Sequence, residues 1–264
     1  MGALHLIPDP DRLRESLALA EEFGARFEYN DFFDPALLDD GAARRERIAL
    51  YRSLGRDCGG DTLHGAFFDV TVHSDDPQIR RISQKRVRQS MEAAAALGVR
   101  GVVFHTGTIP NFTDAFYTDG WLRRNAAFWR SVSEEFPQQE ILLENMFDMR
   151  CDLLLALAEE LRELPRFGVC LDYAHAAVFG GAGGAPEDWV SKLRPHIRHL
   201  HINDNDGRSD LHEAVGGGVT DWAVYDRAVR ALENAPSVLV EVRSLEKQRS
   251  SLEYMKARRL YPFD

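Results

Sequence analysis

Eight short apolar runs, each followed by an amphipathic stretch, predict one (β/α)8 barrel spanning residues 1–264. Three observations carry that fold class. Strand-like and helix-like segments alternate from end to end, with no linker or low-complexity stretch between them. Six of the runs stop at a residue able to bind metal, with the same polarity each time. The longest irregular segments, roughly 65–76, 106–120, 173–185 and 203–221, all follow strands, where a barrel carries its chemistry. An open doubly wound sheet shares the alternation and is the competing architecture.

Taken in order, LHLI at 4–7 precedes a helical pattern at 10–23 that Asp9 and Pro10 would open and Gly24 would close. RFEYN at 26–30 leads to a pattern at 35–55 opened by Asp34 before Pro35. TLH at 62–64 is followed by 77–97, closed by Gly98, and GVVFH at 101–105 by 121–136. EILLE at 140–144 pairs with 151–163, and FGVCLD at 167–172 with 186–194. IRHLHI at 197–202 pairs with 222–233, opened by Asp221, and SVLVEV at 237–242 with 244–259. Segment 106–121 holds Phe112, Phe116, Tyr117 and Trp121 and reads either as an apolar lid or as packing against the barrel top. Segment 179–185 (FGGAGGA) lacks phosphate-loop spacing and reads as a flexible connection.

A chain of 264 residues with 44% hydrophobic and 28% charged residues has the composition of a soluble globular protein. Neither a membrane span nor a signal peptide is expected, which makes cytoplasm the expected location. The net charge of −10 argues against broad nucleic-acid binding, though not against a local basic groove. Cys58, Cys151 and Cys170 imply no disulfide framework, and Cys170 is expected to be a small buried hydrophobe.

The candidate site consists of His64, His105, Glu144, Asp172, His175, His201, Asp210, His212 and Glu241. Nitrogen and oxygen donors without thiolate suit zinc, manganese, cobalt or iron. Four carboxylates crowded into one partly desolvated mouth would need counterions, and divalent metal supplies them. One ion on Glu144, Asp172, His201 and Glu241 leaves a net negative shell, suited to proton abstraction by a carboxylate. Three ions against Glu144, Asp172, Asp210 and Glu241 leave two positive charges, suited to a phosphate group. His199 shares a face with His201 one layer deeper and reads as a supporting residue. His5, His73 and His196 read as surface or structural, and Arg208 and Arg243 as candidates for gripping a phosphate or carboxylate.

On these motifs, from FEYN to VEV, the chain resembles the xylose isomerase-like TIM-barrel superfamily. The resemblance to its sugar epimerases implies a metal on Glu144, Asp172, His201 and Glu241, the two glutamates exchanging a proton on opposite faces of the substrate and His175 beside its oxygens. The chain is also similar to the endonuclease IV family, whose trinuclear zinc site matches LH at His64, FHTG at His105, LEN at Glu144 and VCLDYAHA at Asp172 and His175. LHIND at His201, SDLHEAVGGG at Asp210 and His212, and VEV at Glu241 complete that match. Departures are NDFFDP after the second strand, in place of a basic DNA-entering loop, and Phe67 where a tyrosine is expected. Segment 202–222 looks instead like sugar phosphate isomerase and epimerase members, and no xylose-isomerase lysine is visible near strand six.

The sequence reading is a metal-dependent isomerase or epimerase of a sugar, polyol or sugar phosphate, using Glu144, Glu241 and His175. His64, His105, Arg208, Arg243 and Trp121 would contact substrate. Zinc or manganese is the expected cofactor, with cobalt or iron as alternatives and no organic group. A small molecule is the expected partner, rather than nucleic acid or membrane, with a homo-oligomer allowed. A multi-zinc phosphoesterase is the alternative, and a noncatalytic sugar-binding barrel the third class.

Overall fold

The computed structural model describes residues 2–181 and 183–264. Its strands are β1 (Leu4–Leu6), β2 (Arg26–Tyr29), β3 (Thr62–His64), β4 (Gly101–His105), β5 (Glu140–Glu144), β6 (Phe167–Asp172), β7 (Ile197–Ile202) and β8 (Ser237–Val240). Their order in the sheet runs β1 through β8 and closes into a parallel barrel with helices between the strands. The runs are continuously apolar because parallel strands are covered on both faces. Val102, Val103, Leu142, Val169, Leu200 and Val238 are all fully buried. Each such side chain contributes about 1.5–3 kcal/mol by leaving water.

The helices are α1 (Leu13–Phe23), α2 (Pro35–Asp39), α3 (Gly41–Arg52), α4 (Pro77–Leu97), α5 (Ala115–Glu135), α6 (Asp152–Glu160), α7 (Tyr173–Val178), α8 (Pro186–Leu193), α9 (Trp222–Arg230) and α10 (Leu245–Arg258). Asp34 and Asp221 cap α2 and α9 as expected, accepting hydrogen bonds from Ala36 and from Ala223 and Val224. Gly24 and Gly98 end α1 and α4 in the left-handed conformation.

Four boundaries differ from the sequence reading. Asp9 does not open α1; its carboxylate is taken by the Asp11 amide, and the helix begins at Leu13. The 35–55 pattern breaks at Asp40, whose side chain accepts from Ala42 and Ala43 and starts a new helix. Asp114 caps α5 six residues earlier than expected, so Phe116, Tyr117 and Trp121 belong to a helix and only 106–114 is loop. Residues 173–178, read as irregular, form α7, which is too short to display a period. Ala182, in the glycine-rich connection, lies outside the described residues.

Packing divides the chain into two compact units. The first comprises Met1–Glu28, Asn145–Cys151 and Val169–Asp264; the second comprises Tyr29–Glu144 and Asp152–Gly168. Among the described residues no helix is long and apolar enough to cross a membrane. Cys58, Cys151 and Cys170 are buried.

In the second unit Trp121 is 1% exposed, with its ring 6.0 Å from that of His73. This places Trp121 in helix packing rather than on an open substrate loop. His73 is itself buried, and burial, with a smaller contribution from Arg124, pushes its pKa down to about 4. A base whose folded pKa is depressed binds protons better when unfolded, so stability falls as pH drops from about 6.5 toward 4. Wild type should therefore lose at most about 3 kcal/mol over that window that a His73→Leu variant keeps. Urea titrations of both proteins at pH 7 and pH 4.5 check this; parallel losses would contradict it.

Candidate metal centre

In the second unit, β3, β4 and β5 end at His64, His105 and Glu144. His105 lies in register with Glu144 across the β4–β5 ladder. Glu144 is fully buried, with its Oε2 3.4 Å from His64 Nε2 and 3.3 Å from His105 Nε2. His64 Nδ1 donates to the Gly65 carbonyl at 3.1 Å. A side chain at Gly65 would strike the ring of Phe104, so this tight exit from β3 requires glycine. Phe67 packs at about 5 Å from both imidazoles, with ring centroids 5.1 Å from His64 and 5.0 Å from His105.

In the first unit Asp172 ends β6 and caps α7, its Oδ1 accepting from the His175 amide at 2.6 Å. The chain turns straight from strand into helix, which brings the His175 ring back beside the carboxylate, with Nδ1 3.6 Å from Asp172 Oδ2. Asn145 holds both residues. Its side chain bonds the Asp172 amide at 2.9 Å and carbonyl at 3.0 Å, and its own carbonyl accepts from His175 Nδ1 at 2.9 Å. His175 Nε2 then faces Asp210 Oδ2 at 3.3 Å.

Asp210 and His212 lie on the loop 203–221, which Asp204 organises. Its buried carboxylate accepts from the amides of Asn205 (3.0 Å), Gly216 (3.0 Å) and Thr220 (3.1 Å) and from Trp222 Nε1 (2.9 Å). Burial raises the Asp204 pKa, but these donors outweigh it and hold the carboxyl below its ordinary range. A side chain at Gly218 would strike the Asn205 carbonyl and Asp204 itself, so the loop closes only over glycine. His212 adopts φ 47°, a conformation rare outside glycine, and is held there by Nδ1 donating to the Glu241 carbonyl at 2.8 Å. Its Nε2 sits 3.0 Å from Asp210 Oδ2. Burial pushes the His212 pKa down, but Asp210 and Glu241 pull it up to about 9. Burial likewise pushes Asp210 up, yet His175 and His212 hold it well below the usual carboxylate range. The buried Oδ1 of Asp210 has no hydrogen-bond partner among the described residues.

Also in the first unit, ligand atoms of Asp172, His201 and Glu241 lie within 4.8 Å of one another. His201 Nδ1 is 3.5 Å from Glu241 Oε2, while its Nε2 is 3.1 Å from Glu28 Oε1. Glu28 is fully buried and its other oxygen accepts from His199 Nε2 at 3.1 Å. Burial raises the Glu28 pKa; the neighbouring His201 and His199 outweigh it and hold the group well below the ordinary value. Cys170 also approaches His199 and His201, but both His199 nitrogens are engaged, by Glu28 and by Ser237 Oγ at 2.7 Å.

The donor set fits divalent metal. Three imidazoles, His64, His175 and His212, give Nδ1–H to a backbone carbonyl and so turn Nε2 toward a carboxylate oxygen. A lone pair and a carboxylate repel at this distance, so each pair needs a positive centre, either a proton on the ring or a shared cation. Two donors about 2.1 Å from one tetrahedral ion stand about 3.4 Å apart. The separations of 3.3, 3.4 and 3.5 Å seen here are close to that spacing. A carbonyl or carboxylate on the far ring nitrogen is also the usual support for a metal-bound histidine.

Arg208 and Arg243, expected to grip substrate, are exposed. His5 and His73, read as surface or structural, are buried. The sequence reading missed Glu28, Asn145 and Asp204. Asn145 and Asp204 each follow a candidate ligand closely, in LEN and HIND, and that adjacency was the available signal.

Among curated relatives, residues matched to a probable endonuclease 4 from Symbiobacterium thermophilum are 27% identical and cover 75% of this chain and 77% of that protein. An uncharacterized Methanocaldococcus jannaschii protein is 29% identical over 59% of this chain, and the match spans only 55% of its own length. Among solved structures, a Thermus thermophilus protein, TTHB071, soaked with zinc chloride, superposes with a TM-score of 0.73 at 26% identity and 96% coverage of both chains. A D-tagatose 3-epimerase-like protein superposes with a TM-score of 0.74 at 20% identity, covering 97% of this chain and 96% of that one, which shows shared fold. The family described as xylose isomerase-like TIM barrel matches residues 14–258. The chain belongs to that family.

Proposed function

We propose that the chain, acting as one domain over 1–264, is a cytoplasmic multinuclear metal enzyme that hydrolyses a phosphoester in a small substrate. The observation that carries this reading is the number of donor groups. His64, His105 and Glu144 form one, and His175, Asp210 and His212 a second. Asp172, His201 and Glu241 form a third. A single-ion epimerase needs only the third. Divalent ions in these groups, zinc or manganese first, would supply Lewis acidity, neutralise a phosphate and make water a nucleophile near neutral pH. Glu144 and Asp210, each facing two imidazoles, would hold the donor sets together, and Glu241 would orient water toward phosphorus. The relatives named endonuclease 4 and the zinc-soaked neighbour are consistent with this chemistry.

One observation favours the isomerase or epimerase reading, in which Glu144 and Glu241 exchange a substrate proton and His175 orients its oxygens. The segments after β2, β3 and β4 (30–34, 65–76 and 106–114) contain no Lys or Arg. They expose Phe68 and Phe112 instead, a surface suited to a neutral ring. Zinc- or manganese-loaded protein assayed on bis(p-nitrophenyl) phosphate, on an abasic-site duplex, and on ketoses in deuterated water separates the two. Release of nitrophenolate that the Asp210→Asn variant lacks is the expected result. Solvent deuterium in a ketose pool without phosphoester cleavage would establish the isomerase instead.

A further inference from the structure

We propose that Glu28 is a positioning residue that fixes the proton of His201 on Nε2 and thereby presents Nδ1, as a bare lone pair, to the metal centre. The inference rests on the metal reading above and deepens it. His201 is the exception among the candidate imidazoles. His64, His175 and His212 rest Nδ1 on backbone carbonyls and turn Nε2 inward, whereas His201 turns Nδ1 toward Glu241 and Nε2 away from it. A histidine paired on both sides within a sheet has its neighbouring carbonyls committed to the ladder. In β7, His201 is in register with Asp172 on β6 and Leu239 on β8. The acceptor for its outer nitrogen must therefore come from a side chain.

Glu28 brings a carboxylate oxygen from β2 to 3.1 Å from that nitrogen, with β1 and β8 standing between β2 and β7 in the sheet order. Each of its two oxygens meets a different ring, Oε1 with His201 Nε2 and Oε2 with His199 Nε2, both at 3.1 Å. A carboxylate accepts at both oxygens, so both rings are driven to the same Nε2–H tautomer. His199 is braced in turn by Ser237 at Nδ1 and by the edge-on ring of His5 at 5.2 Å. The His199 contact is an aligned hydrogen bond and the His201 contact a close charge pairing, and Glu28, His199 and His201 are all fully buried. Removing such a support typically weakens metal binding 10- to 100-fold.

The test pairs two substitutions with two readouts. In metal-free, uniformly nitrogen-15-labelled wild type, long-range nitrogen–proton correlation spectra at neutral pH should show His201 protonated on Nε2. Zinc titration against a chromophoric chelator should then show Glu28→Met losing about 10- to 100-fold in affinity at one site, with the other sites unchanged. Glu28→Gln, whose amide oxygen still accepts one N–H while His199 moves its proton toward Ser237, should recover to within about tenfold of wild type. His201 protonated on Nδ1 in wild type, or Glu28→Met binding zinc as tightly as wild type, would overturn the inference. If Glu28→Met does not fold, the wild-type spectrum and the His201 tautomer in Glu28→Gln still decide it. Wild type that binds no divalent ion would sink the metal reading instead, leaving the tautomer spectrum to judge Glu28 separately.

Discussion

Stripping divalent ions with a chelator should reduce activity to background and lower the melting temperature by on the order of 10 °C. An ion present at a thousand times its dissociation constant stabilises the folded chain by about 4 kcal/mol. For a chain of 264 residues each kcal/mol moves the midpoint by about 2–4 °C. The effect should be large because of what the ion leaves behind. Glu144 is fully buried against two imidazoles, and Asp210 faces two more. Without cations the Asp210 carboxylate is left against two imidazoles, and with Glu241 it holds the His212 ring protonated up to about pH 9. Calorimetry of chelated and zinc-restored protein checks the prediction. Identical melting temperatures would mean that these groups hold no ion of consequence.

Asp204→Ala should be the most damaging single change outside the ligands themselves, costing about 4 kcal/mol or more of stability. Three backbone amides and the Trp222 indole donate to this one buried carboxylate. Truncation leaves those donors facing a cavity, at about 1–3 kcal/mol for each unsatisfied group. The same bonds shape the loop that carries Asp210 and His212, so metal uptake at that group should fall together with stability. Asp206, exposed on the same loop and accepting from the Arg208 and Ser209 amides, supplies the comparison. Asp206→Ala should cost less than about 1 kcal/mol, within the range of an exposed capping bond. Urea unfolding of the two metal-free variants measures both; equal effects would contradict this account of the loop.

The strands and the candidate residues that end them were legible in the sequence for one physical reason. A parallel strand buried on both faces is a continuous apolar run, so the polar residue that ends it stands out, as Glu144 does after ILL and Asp172 after GVCL. Helix starts were legible where an aspartate precedes proline at a true cap, as at Asp34. Asp9-Pro10 offers the same letters, yet there the carboxylate serves a turn. Helix α7 has six residues, less than two turns, and leaves no periodicity to find.

Glu28 was not legible, because in RFEYN it looks like one polar position of an alternating strand, and its partner His199 lies 171 residues away. For Trp121 the sequence left lid and packing both open; Asp114 starts a helix that buries the indole, as packing requires.

Zinc-soaked crystals of the full chain, measured on both sides of the zinc absorption edge, would show how many ions these residues hold and where. Three anomalous peaks are expected: between His64, His105 and Glu144; between His175, Asp210 and His212; and beside Asp172, His201 and Glu241. One peak confined to the last group would contradict the multinuclear centre, and no peak at all would contradict metal binding by these residues.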